Sequence, residues 1–93
     1  MDIQSTQEER GLTYGKFKDH TWAVEQIMGV LALTNAKKND AVTPQYPHGF
    51  ETSLFYMVTK LVRLSATPTH KDSALDLSSY ADLWLKEIQD DTE

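Results

Sequence analysis

Two cations and two carboxylates stand at helical spacing in the second half of the chain. Lys60 and Arg63 are i, i+3, and Asp72 and Asp76 are i, i+4, so each pair leaves one side of a helix together. Turned towards each other, the four make a pair of inter-helix salt bridges, with Asp72 also placed to cap a helix N-terminus. Turned towards a ligand, Lys60 and Arg63 receive a phosphate, and Asp72 and Asp76 hold Mg²⁺ through their oxygens. His70, next to Lys71 and Asp72, is either an ordinary surface histidine or part of the same mouth. Lys16 adds a third cation to the phosphate reading, with Tyr14 or Tyr46 to stack on a base.

Other chemistries leave no trace. His20, His48 and His70 have no zinc spacing such as HExxH. There is no GxxxxGKS/T loop, no GxGxxG turn, and no serine or cysteine in a recognisable nucleophile elbow. Catalysis through a covalent intermediate is therefore not expected. No cofactor is expected either, and Mg²⁺ enters only with the carboxylate reading.

These residues need helices to position them. The chain reads as all-α: a short N-terminal helix, then three longer helices, the last two an antiparallel hairpin over about 50–89. Ser5-Thr6-Gln7-Glu8 is a capping-box pattern and Gly11 ends the short helix it starts. From Lys16 to about Asn35, Phe17, Val24, Ile27, Met28 and Leu31 recur at helical spacing. Residues 36–49, with Asn39-Asp40, Pro44 and Pro47, read as a long loop that packs or binds something. A helix over Phe50–Ala66 carries the stripe Leu54, Met57, Val58, Leu61, Val62 and Leu64, and Pro68 stops it. The next runs from about Asp72 to Gln89 on Leu77, Tyr80, Ala81, Trp84 and Ile88. The short connection from Ala66 to Lys71 makes those two helices antiparallel neighbours. An acidic tail over about 90–93 follows. Phe17, Phe50 and Trp84 are expected in a core or an interface. Phe55 and Tyr56 are adjacent and cannot share one core, so one of them is expected at a subunit contact.

Length and charge set the bounds. Ninety-three residues with no cysteine and a net charge of −5 make one small helical domain, 1–93, that lacks disulfide staples and is expected to self-associate. Residues 71–93 hold two lysines against seven carboxylates, while residues 37–63 hold four cations against two carboxylates. The overall acidity disfavours duplex nucleic acid, which demands a basic face. No apolar run approaches 18 residues, so no membrane span is expected. MDIQSTQEER lacks the basic-then-apolar pattern of a signal peptide, which predicts an intracellular protein.

Two stretches carry a resemblance. Glu8-Glu9-Arg10-Gly11-Leu12-Thr13-Tyr14-Gly15-Lys16-Phe17 resembles the opening of a family of small helical phage and prophage proteins, in which an ER-type helix leads into a T-H/Y-G-D-F turn. Met57 to Leu64, then His70-Lys71-Asp72-Ser73 and Asp76-Leu77-Ser78-Ser79-Tyr80-Ala81, are similar to that family's K-x-x-R-L, H-x-D-S/N and D-x-x-G-Y-A segments. The resemblance covers residues 8–18 and 50–85 and implies an all-α fold, phage origin and a place in the host cytoplasm. More distantly, the hairpin is similar to the all-α nucleoside triphosphate pyrophosphatases of the MazG type, which hold Mg²⁺ on ExxE and ExxD pairs. Here Lys60 and Arg63 stand where the first pair would be, Lys16 replaces the phage family's turn aspartate, and Ser79 its glycine. Those exchanges trade cation binding for anion binding. The expectation is a non-catalytic phage protein that interferes with a host process or defence by binding a nucleotide or other phosphate-bearing ligand. The alternatives are an inhibitor that binds a host protein directly and a Mg²⁺-dependent pyrophosphatase using Asp72 and Asp76.

Overall fold

A computed structural model describes residues 16–91, the side chain of Asp91 excepted. The short N-terminal helix, the turn with Tyr14, and the last two residues of the tail lie outside the described residues. Within them the chain forms three helices, α1 (Phe17–Lys38), α2 (Phe50–Ala66) and α3 (Lys71–Asp91), and no strand. The expected hairpin is α2 and α3. Its register is fixed by three cross-helix contacts. The Phe50 and Trp84 rings lie 4.9 Å apart and the Tyr56 and Tyr80 rings stack at 5.3 Å. Lys60 Nζ then meets Asp76 Oδ2 at 3.0 Å. Climbing α2 descends α3, which is the antiparallel arrangement that a four-residue turn imposes.

Helix ends are set by individual residues. α1 runs three residues past the expected end, because Ala36, Lys37 and Lys38 are good helix formers and the stop lies at Asp40. Asp40 adopts φ 50°. Its N–H donates to Lys37 O at 3.2 Å, and the Ala41 N–H donates to Ala36 O at 2.9 Å. This is a Schellman stop with aspartate in the left-handed position that glycine usually takes. The loop is therefore 39–49 rather than 36–49. It is tied back to α1 by the Gln45 N–H, which donates to Asn35 Oδ1 at 2.6 Å. α2 has the expected bounds. A turn precedes it in which the Phe50 N–H donates to Pro47 O at 3.1 Å, and Gly49 takes φ 87° at the third position.

α3 begins one residue earlier than expected and its cap is a different residue. His70, not Asp72, precedes the first helical turn. His70 Nδ1 accepts the Ser73 backbone N–H at 3.2 Å and lies 2.8 Å from Ser73 Oγ, so the imidazole does what a capping carboxylate would do three residues before the N–H it satisfies. Ser73 is buried to 1 % exposure by this contact. Asp72 sits exposed in the first turn, where its charge favours the helix dipole. Asp90 and Asp91 belong to α3 rather than to a tail.

The arrangement is open. α2 contacts both neighbours, whereas α1 and α3 make no helix contact with each other among the described residues. A layer of three helices cannot enclose a core as a closed bundle does. Val24, Ala36, Phe50 and Val58 are the buried apolar residues of the described chain. Several members of the expected stripes are instead exposed: Phe17 at 83 %, and also Leu61, Ala81 and Ile88. Among the described residues Phe17 is thus not part of the core. Helical periodicity is correct for each of these positions; among the described residues no element covers them. Tyr56 stacks on Tyr80 and meets Phe55 edge-on at 6.0 Å, and both Phe55 and Tyr56 are about half exposed.

Candidate functional site

The residues singled out for chemistry gather at the end of the layer where α2 turns into α3. Lys60 is the most enclosed of them, its side chain 14 % exposed while that of Asp76 is 52 % exposed. One salt bridge between the pairs is this 3.0 Å contact. It joins one member of the cationic pair to one member of the acidic pair, so the charge of Lys60 is neutralised within the chain. Asp72 stands one turn before Asp76 on α3. Among the described residues, no third imidazole or carboxylate joins them in a metal-binding group. His70 is held by Ser73 and is half-buried, not a free surface histidine.

His20 belongs to this end although its sequence position gave no such signal. Burial, and then the positive charge of Arg63, hold its pKa below the ordinary 6.5. A guanidinium close enough to disfavour the imidazolium places the start of α1 beside the end of α2, so α1 and α2 are antiparallel as well. Lys16, whose carbonyl accepts the His20 N–H at 3.0 Å, therefore stands exposed at the same end. Tyr14 lies outside the described residues. Tyr46, the other candidate for base stacking, lies in the loop that Gln45 ties to Asn35, near the far end of α1. Its Oη is buried with no hydrogen-bond partner among the described residues. It does not join Lys60 and Arg63.

No family model, curated protein or solved structure matches the chain. A lysine neutralised by an aspartate, a guanidinium beside a neutral imidazole, and an exposed lysine one turn before that imidazole make a cationic end. Among the described residues, no helix is long and apolar enough to cross a membrane.

The depressed pKa of His20 makes stability depend on pH. In the folded chain the imidazole stays neutral to a lower pH than in the unfolded chain. As pH falls through 6.5, the unfolded state takes up the proton first, and folding is penalised until the folded group also titrates. Stability is therefore complete above about pH 7 and declines below it. Thermal unfolding followed between pH 7.5 and 5 is expected to show a falling Tm in the wild type. The slope becomes shallower in His20→Gln, and Arg63→Gln reduces it partly because burial is the larger cause. An unchanged slope in His20→Gln would assign the acid sensitivity to another group.

Proposed function

We propose that this chain is a non-catalytic, self-associating binding protein of phage origin, acting in the host cytoplasm, and that its target is a host protein engaged by α3. The reading rests on one observation: the apolar stripe of α3 is wider than the part that α2 covers. Leu77, Tyr80 and Trp84 face the hairpin. On the flank of the same stripe, Ala81, Leu85 and Ile88 follow one another at i, i+4 and i+7 and are exposed, a pattern of the kind that seats a helix in an apolar groove. Asp82 stands beside it and is ion-paired with Lys86 on its own helix at 3.1 Å, so it is the apolar stripe that points to the partner. The resemblance of residues 8–18 and 50–85 to phage proteins supports the origin.

A second reading, a nucleotide held by Arg63, Lys16 and Lys60, draws support from the Arg63 charge felt at His20. The ion pair of Lys60 with Asp76 weighs against it, and weighs equally against Mg²⁺ on Asp72 and Asp76. The test has three arms. The immobilised chain is expected to retain a host protein from lysate that Leu85→Asp/Ile88→Asp releases, with helicity unchanged. A nucleotide that raises Tm without metal and loses its effect in Arg63→Ala would replace the protein target with a nucleotide. At 100 times its Kd such a ligand adds about 2.7 kcal/mol, a shift above about 10 °C for a domain of this size. Pyrophosphate release in Mg²⁺ that Asp76→Asn abolishes would overturn the non-catalytic reading.

A further inference from the structure

α1 has two apolar sides, and its outer one has a self-complementary charge pattern. Val24, Met28 and Leu31 lie on the side that α2 covers. On the opposite side, Trp22, Gly29, Val30 and Leu33 fall at i, i+7, i+8 and i+11, which is one face of a helix. Trp22 is 64 %, Val30 64 % and Leu33 55 % exposed. Gly29 lies among them in the middle of the helix. A Cβ built there would meet nothing within 4 Å, so packing among the described residues does not require a residue that weakens a helix by about 1 kcal/mol relative to alanine. A glycine at that place lets a second helix approach closely.

Charges at the two ends of this face identify that helix. Asp19 and Lys37 are 18 residues apart, five turns of 3.6, and so leave α1 in the same direction. Both are exposed, and neither is in an ion pair among the described residues. Met28 is midway between them. We infer that the outer face of α1 docks on the same face of a second copy, the two helices antiparallel about a two-fold axis near Met28 and Gly29. That axis sets Asp19 of each copy against Lys37 of the other, twice by symmetry, and Trp22 of each against Leu33 of the other. It also opposes the helix dipoles favourably, the acidic first turn of one against the basic last turn of its mate. This inference rests on the self-association proposed above and names the face and register that perform it.

Sedimentation equilibrium of the full chain tests both. The wild type is expected to be a dimer. Asp19→Lys and Lys37→Asp each replace two attractions by two repulsions and are expected to weaken the dimer at least about tenfold. The double exchange Asp19→Lys/Lys37→Asp restores it, a result that no other occupant of the face would give. Val30→Glu/Leu33→Glu is expected to be a monomer with the circular dichroism of the wild type. A wild type that stays monomeric at 100 times the concentration of the assay would overturn self-association itself. A wild-type dimer indifferent to the exchanges and to Val30→Glu/Leu33→Glu would overturn this face alone.

Discussion

Phe50→Ala is expected to lower the melting temperature by more than 10 °C. Phe50 is one of only four buried apolar residues in the described chain, and its ring meets Trp84 at 4.9 Å and 55°. Removing a buried phenylalanine from a packed site costs about 3–5 kcal/mol, the transfer term plus the cavity it leaves. Each kcal/mol moves Tm by about 4–8 °C in a domain of 60–100 residues. Phe50 is also the first residue of α2, where the loop and the hairpin meet, so neighbouring side chains have little freedom to close the gap. Trp84→Ala removes the partner ring from a less enclosed position and is expected to be milder. A double-mutant cycle is expected to return a coupling of about 0.5–1.5 kcal/mol for the ring pair. Chemical denaturation of the four proteins measures this. A Phe50→Ala loss below about 1 kcal/mol would mean that the small core is not what holds α2 to α3.

Gly49→Val is the second large effect, and it acts through the backbone. Gly49 sits at φ 87° and ψ −21°, the left-handed region that costs an L-residue roughly 1–2 kcal/mol and is worst for a β-branched side chain. The space around it is open, since a Cβ at this position meets nothing within 4 Å. Strain, not collision, is therefore the whole cause. Gly49→Ala and Gly49→Asn separate these terms: alanine is expected to lose about 1 kcal/mol and asparagine, which tolerates the region, less. The ranking valine worst, alanine next and asparagine least, read from urea midpoints, is the expected result. Equal losses for all three would show that the turn before α2 rearranges.

What was legible in the sequence follows from which interactions are local. α2 was readable to the residue, because Pro47-His48-Gly49 and Pro68 punctuate both of its ends. The hairpin followed from the short turn, and the ion pair of Lys60 with Asp76 from spacing on two helices whose order was known. The start of α3 was misplaced by one residue because histidine is not among the usual N-cap side chains, and its capping by Nδ1 needs the ring placed on the Ser73 N–H. The end of α1 was misplaced because aspartate at positive φ replaces the expected glycine. Phe17, Leu61, Ala81 and Ile88 have the right period and no cover among the described residues, and periodicity carries no information about whether another element arrives. The placing of His20 beside Arg63 needs the antiparallel register of α1 on α2 across an eleven-residue loop, which no local pattern supplies.

That α2 touches both outer helices while these, among the described residues, do not touch each other gives the three helices the connectivity of a three-link chain. Energies in such a system are nearest-neighbour quantities. A perturbation at the outer side of α3 reaches α1 only by changing how α2 is held, and the two outer helices are able to detach one at a time. Events on opposite edges of the layer are thus energetically insulated from one another except through the single element they share.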